Sequence, residues 1–450
     1  MLLQILTIAR NTFVESIRQP ILFVLVVVCG VLQLLNTWSV GFAMGYTESG
    51  EVSGDNKLLL DVGLATVLVC GVLLAAFIAT AVISREIENK TVLTVVSKPI
   101  ARPAVVVGKY VGVAGAIVLA VVPMLLFLLT GIRHGVMSTA GDDLDQPVIA
   151  FTALAVFTAL GVAVWCNYFY GWYFTQTFIV ILAPAMVVAY FLVLLINKKW
   201  EVQDVHTDFK PQITFACTAL VMALLVLSAV ATAVSTRLGQ VMTIVVCAGV
   251  FLFGLLSNYF IGRHVFDNEP IGIISNVTPD DPTEPGWNRP GDGYSINLKT
   301  PPSELLRAGD SFFYSTNPNG FPMLTQSWPP FKGDPSQGPD LLGAPHPALV
   351  IVSADGTSMR VRKAGQDPLR YERPPEVGDY AFIRPTRTNA AALVLWGVVP
   401  NMQYFWLLDA VSQNQKIPPE HMLKLAGYTL AQIAAFLSLG VVLFQQRDVG

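Results

Sequence analysis

The chain has 450 residues, of which 53% are hydrophobic and only 13% charged, against roughly 25% charge in an ordinary soluble domain. With a mean hydropathy of +0.56 it reads as a polytopic membrane protein. Its 28 Lys and Arg against 31 Asp and Glu leave a formal net charge of -3, so nothing suggests a nucleic-acid surface, which would need a clustered basic face.

At the N-terminus Leu2, Ile5, Ala9, Phe13 and Ile17 recur at steps of three and four, while Gln4, Asn11, Glu15 and Arg18 face elsewhere. That spacing predicts an amphipathic elbow helix over 1–19, lying in the membrane interface until Pro20 turns the chain into the bilayer. No small-residue cleavage site follows a basic leader, so the first segment is expected to stay in the mature protein. Apolar stretches follow at 21–40, 62–83, 105–132, 148–166, 178–196, 213–234, 241–261 and 423–444. Each approaches the about 20 residues that cross a hydrocarbon core, giving about eight spans. Cys29, Cys70, Cys166, Cys217 and Cys247 all fall in apolar stretches, without the close spacing of a disulfide framework or zinc site, and read as packing residues.

Between the second and third spans lies the densest charged island, SREIENKTVLTVVSKPIARPAVVVGK from Ser84. Each Arg or Lys costs roughly 2.5 to 3.5 kcal/mol at a bilayer centre, so the island is read as a loop at the membrane surface. Within it 86–96 has the makings of a short helix, with Ile87, Leu93 and Val96 beside the charges and Pro99 and Pro103 stopping it. The positive-inside rule assigns this loop and Arg10 and Arg18 to the cytoplasm and the loops 41–56 and 135–146 to the exterior. Lys198 and Lys199 fall on the outer side against that trend. The pair 148–166 and 178–196, joined by the aromatic turn CNYFYGWYF, either crosses twice or dips in and returns; both keep the same parity.

Small residues recur at four-residue steps as Gly71, Ala75, Ala79 and as Gly108, Gly112, Ala116, Ala120, a pattern that lets helices approach closely and suits ordinary intrachain packing. From 263 to 390 apolar runs give way to Pro, Gly and charges of both signs, marking a water-soluble insert that parity places outside the cytoplasm. In it ALVIVS and SMRVRK flank an Asp355–Gly356 turn signal and predict a β-hairpin, DYAFIRP predicts a further strand, and the Pro-crowded 267–341 reads as largely irregular. The final part, 391–450, opens on an apolar stretch broken by Pro400 that reads as re-entrant, then the last span. Both termini are expected in the cytoplasm.

Chemistry-bearing motifs are missing. No GxxxxGK[ST] loop, HExxH pair or GxSxG elbow occurs, and the five histidines are scattered among loops. The spans hold almost no charge, with Asp61 and Asp409 read as hydrated interfacial groups, so an ion-coupled carrier is disfavoured. No catalytic, cofactor-binding or metal-binding residue is expected, and the energy source is expected in another chain.

The order TIARNTFVESIRQPIL, LLLDVGLATVL and VISREIENKTVLTVVSKPIARPAVVVGKYVG, with SAVATAVSTRLGQVMTIVVCAGVFLFG, VVPNMQYFWLLDAV and LFQQRDVG further on, resembles the membrane subunit of ABC-2-type transporters. The closest likeness is to the permease branch of nitrous-oxide-reductase maturation. The resemblance implies an all-α polytopic fold of the ABC type-2 exporter kind, here with an inserted β-containing extracytoplasmic domain. It also implies a non-catalytic permease, leaning towards export, in a prokaryotic plasma membrane, the inner one in a Gram-negative cell. Residues 20–262 would hold seven spans with a cytoplasmic coupling loop at 84–104. Arg85, Glu86, Glu88, Lys90 and Thr91 would contact a separate cytoplasmic ABC ATPase, which holds the ATP, and Ser235 and Arg237 would form a second contact. The permease would pair as a homodimer or heterodimer among membrane lipids. The extra hairpin at 148–196 and the insert depart from the plain pattern of about six spans, and the insert is expected to engage a partner beyond the membrane. The rival readings are a stand-alone carrier or channel, and a membrane tether or sensor that presents the insert.

Overall fold

The computed structural model describes residues 1–39, 54–88, 101–136, 144–282, 286–316, 328, 330–369, 373–412 and 416–445. They form two compact units, one of Met1–Leu255 with Met402–Gly450 and one of Leu256–Asn401.

The first unit is helical. Its main elements are α1 (Leu2–Ile17), α2 (Pro20–Ser39), α3 (Gly54–Glu88), α4 (Arg102–His134), α5 (Gln146–Tyr170), α6 (Phe174–Leu195), α7 (Pro211–Ser235), α8 (Gln240–Leu255) and α9 (Pro419–Gln445). Proline opens α2, α7 and α9, where its missing N–H is an orphan in any case. Among the described residues seven helices are long and apolar enough to cross a membrane, or nine if two broken pairs each count as one span. One broken pair corrects the uninterrupted span expected at 241–261: α8 stops at Leu255, and a separate short turn covers Ser257–Phe260. The other, Ala390–Val398 followed by Met402–Ser412, is interrupted around Pro400, as a proline without a donor N–H requires.

Three residues link α5 to α6, and Gly171 takes the left-handed conformation at φ +66 to end α5. At 25 and 22 residues these helices reach about 37 and 33 Å at 1.5 Å per residue, longer than the roughly 30 Å hydrocarbon core. The hairpin also runs the whole length of the bundle. At its turn Arg18 Nε donates to Gln176 Oε1 at 2.8 Å and its guanidinium lies 4.3 Å from the Tyr173 ring centre. At its open end Arg133 of α4 meets Asp145 just before α5. Both helices are thus long and apolar enough to cross a membrane.

Helix α1 packs on α4 through a small-residue seam. An added methyl at Gly112 would stand 2.5 Å from the Ala9 carbonyl oxygen, and one at Gly108 would stand 2.9 Å from Ile8 Cβ, so the backbones nearly touch. The stripe is thus used within the chain, as is Gly71, which faces Leu224 of α7. Polar glue adds to it: the buried Gln33 and Asn36 of α2 donate to the carbonyls of Gly63 and Leu59 in α3 at 2.8 and 2.9 Å, bonds that substitute for water in an apolar setting.

The second unit is built on β1 (Phe266–Asp267), β2 (Gly272–Pro279), β3 (Gly293–Leu298), β4 (Phe313–Ser315), β5 (Ala348–Asp355), β6 (Ser358–Ala364), β7 (Tyr380–Phe382) and β8 (Arg387–Thr388). Six of them form an antiparallel sheet in the order β4-β7-β2-β3-β6-β5, and β1 pairs with β8, so the chain enters and leaves the unit side by side. The predicted hairpin is β5–β6, with its two-residue loop at Gly356–Thr357, one position later than the turn signal. Gly356 takes φ +57 there, a conformation that glycine adopts without penalty. The reading of 267–341 as largely irregular holds for most of its described residues, but β2, β3 and β4 within it belong to the sheet. Ile274, Tyr294, Ile296 and Leu298 alternate inward to meet Leu349, Ile351, Met359 and Val361, and burying that apolar face outweighs the weak strand propensity of the prolines around it.

One inward position of this sheet is misfilled. Lys363 continues the face of Met359 and Val361 and is fully buried, and among the described residues its Nζ has no hydrogen-bond partner. Burial lowers its pKa, opposed by the nearby carboxylates of Asp292 and Asp367. Lys363→Met should therefore stabilise this unit by about 1–3 kcal/mol, seen as slower hydrogen exchange of the β5 and β6 amides in the full-length protein. The sign with pH follows from linkage. The unfolded chain keeps its proton up to the ordinary value near 10.5 and the folded chain loses it sooner, so wild-type stability rises with pH through that window. The advantage of the methionine should shrink as pH approaches that value, and an advantage independent of pH would refute this account.

Candidate functional site

Hydrogen bonds and ion pairs sort the helix ends of the first unit into two levels. At one, Asn36 meets Leu59, Asn56 Oδ1 accepts from Val136 N at 3.2 Å, and Arg133 meets Asp145 and Asp208. The other level is marked by arginines. Arg18 meets Thr175 and Gln176 at the start of α6, Arg102 Nη1 donates to the Gln445 carbonyl at 2.7 Å, and Arg237 Nε donates to the Leu443 carbonyl at 2.8 Å. The last two satisfy carbonyls at the end of α9 that have no partner within the helix, and their charge suits its negative pole. The start of α4 and the α7–α8 turn are thereby tied to the end of α9.

Those of the residues singled out in the sequence that are described lie on elements ending at this arginine-bearing level. Arg85, Glu86 and Glu88 fall on the last turns of α3. The island is therefore not a loop from Ser84 onward: its first five residues prolong the span helix, since nothing before Glu88 breaks the helical ladder. Lys90 and Thr91, with the rest of the helix expected over 86–96, lie outside the described residues. Ser235 is fully buried and its hydroxyl bonds back to the Thr232 carbonyl at 3.0 Å. Arg237 is the exposed member of that pair. What the sequence did not reveal is that Arg237 and Arg102 converge on one helix end, because 135 residues of chain separate them and no local pattern links the two.

Asp61 is partly buried on α3 with one carboxylate oxygen lacking a partner among the described residues, and Asp409 is near enough to repel it. Among the described residues no group of three or more His, Cys, Asp or Glu is placed to hold a metal ion.

Residues 6–164 match the family model described as ABC-2 family transporter protein. The matched stretch runs from α1 through most of α5 and includes the charged island. It supports an ABC transporter membrane subunit of the ABC-2 type, a multi-pass part that usually carries no catalytic residues and works in general with a separate ATPase and in dimeric assemblies. No curated protein and no solved structure matches the chain.

Proposed function

We propose that this chain is the permease subunit of an ATP-driven exporter in a prokaryotic plasma membrane, moved by a separate cytoplasmic ATPase that holds the ATP. The observation that carries the reading is the ABC-2 match across 6–164. It is supported by the gathering of Arg18, Arg102 and Arg237 at the end of the bundle that also holds the last turns of α3, since basic residues mark the cytoplasmic side of short loops. Both termini lie on that side in this reading, and the second unit lies outside, where it engages an extracytoplasmic partner. The segment 84–104 acts as the coupling element, with Arg85, Glu86, Glu88, Lys90 and Thr91 against the ATPase and Arg237 beside them. Because Arg102 and Arg237 hold the end of α9, a push on the start of α4 reaches the last helix directly. Two permeases, identical or different, would flank the path.

The test is co-purification of the ATPase with the full-length chain. Arg85→Glu with Glu86→Lys should reduce the recovered ATPase to background and abolish ATP-dependent flux, while thermal unfolding of the permease stays unchanged. If Arg85→Cys in intact cells reacts with a membrane-impermeant maleimide, the segment faces outward and the reading fails.

A further inference from the structure

The base of the second unit exposes more apolar surface than a domain surrounded by water keeps. The helix Ala390–Val398 reads AAALVLWGV and, apart from the Trp396 indole, has no polar side chain on any face. Only one stripe of it is covered: Trp396 is buried with Ile261 and Val265, and Ala392, Val399 and Phe266 pack against them. Leu393, Val394, Leu395 and Val398 stay exposed, the two valines at 67 and 65%. A helix that is apolar all round belongs in a protein core or in lipid, and a contiguous patch of this kind marks an interaction surface.

The incoming chain completes the patch. Leu256, Tyr259 and Phe260 are exposed, while Asn258 Oδ1 accepts from Trp396 Nε1 at 3.2 Å and the Trp396 ring meets Phe266 edge-on at 6.0 Å. Residues 257–266 and 390–398 therefore form one foot. Polar groups within it pair with each other: Asn389 Oδ1 caps the helix by accepting from Ala391 N and Ala392 N at 3.1 and 3.3 Å. At its edge the exposed Arg263 holds its guanidinium 4.7 Å from the Tyr259 ring centre. An amphipathic ring beside a long cationic side chain suits the headgroup layer of a membrane.

What covers the foot follows from the course of the chain. Leu256 continues from α8 without a gap, and α8 begins just after Arg237, at the arginine-bearing level, and has 16 residues. At 1.5 Å per residue it rises about 24 Å, short of the roughly 30 Å hydrocarbon core. The turn at 256–260 thus comes near the far boundary of the hydrocarbon. Amphipathic segments at that boundary bury their apolar face about 5–10 Å into it.

We propose that this foot anchors the second unit in the membrane leaflet that α8 reaches, with Leu393, Val394 and Val398 among the acyl chains and Arg263 on lipid phosphates. The anchor is a surface contact with phospholipid and not a further crossing. It rests on α8 crossing the membrane and not on the coupling to an ATPase, so it can fail while the transport reading stands.

The test places nitroxide labels on the full-length protein in nanodiscs of phosphatidylcholine with phosphatidylglycerol. Val394→Cys and Val398→Cys carry the label, each with Cys166→Ser because the other four cysteines are buried, and Ser358→Cys at the exposed start of β6 is the reference. Power saturation with oxygen and with a water-soluble nickel chelate should favour oxygen at 394 and 398, at a depth of about 5–10 Å below the phosphates, and the chelate at 358. Arg263→Glu, which sets a negative charge against the phosphates, should make the label at 394 shallower. A label at 394 reached by the chelate as freely as at 358 would put the foot in water and overturn the proposal. Shielding from both reagents would put it under protein, a second copy or another face of this chain, and overturn it equally. An unchanged depth in Arg263→Glu would overturn the phosphate contact.

Discussion

Replacing Arg133 by leucine is expected to destabilise the helical unit by about 3–5 kcal/mol, the cost of stranding a buried charge. Arg133 Nη1 lies 2.6 Å from Asp145 Oδ2 and its Nε 3.0 Å from Asp208 Oδ2, with the Asp145 side chain fully buried and that of Arg133 11% exposed. Asp145 cannot swing out to water, because its other oxygen caps α5 by accepting from Val148 N at 3.3 Å. Loss of the arginine therefore leaves a carboxylate held in place by its capping role. Asp145→Asn keeps a capping oxygen and removes the stranded charge, so Arg133→Leu with Asp145→Asn should recover a good part of the loss. Thermal unfolding of the two single variants and the double variant in detergent measures this. A loss below about 1 kcal/mol for Arg133→Leu, the range of exposed pairs, would show that water reaches Asp145.

The spans were legible in the sequence because the bilayer imposes one requirement on every crossing segment, enough consecutive apolar residues to satisfy the backbone internally. That signal placed α2, α4 to α7 and α9 to within a few residues. It was blind to helix that continues past the apolar stretch: α3 starts at Gly54 and extends through Ser84–Glu88 although Arg85, Glu86 and Glu88 are charged, since helical hydrogen bonding does not end where hydrophobicity does. In the second unit the hairpin β5–β6 showed itself through alternation around a glycine. Strands β2 to β4 did not, since their inward residues are few and the prolines at 270, 279, 301 and 302 masked them. Candidate sites were legible only where they were contiguous. The charged island stood out, but the pairing of Arg102 and Arg237 on the end of α9 arises from helices that only the fold brings together. Ser235 was expected to make a contact because its place at the end of a span was readable while its burial at the last residue of α7 was not.

The seam between α1 and α4 carries the other large expected effect. A methyl placed on Gly112 would meet the Ala9 carbonyl oxygen at 2.5 Å, Thr12 Cβ at 2.6 Å and Phe13 N at 2.9 Å. Two of these are backbone atoms of a helix, which yield only if α1 moves as a body. At Gly71 an equally short approach, 2.4 Å, is to Leu224 Cδ1, the far end of a side chain that has other rotamers. The same nominal change thus meets two different kinds of resistance. Gly112→Ala should lift α1 off α4 and cost about 3 kcal/mol, the upper part of the range for overpacking, with the amides of 5–17 losing protection from hydrogen exchange. Gly71→Ala should cost about 1 kcal/mol or less and leave α1 protected. The contrast tests the geometry rather than glycine's helix propensity, since replacing glycine within a helix should by itself stabilise by a few tenths to about 1 kcal/mol. Equal tolerance at both positions would mean that α1 does not sit in contact with α4. The elbow helix would then be free of the third span, and motion at the start of α4 would no longer carry α1 with it.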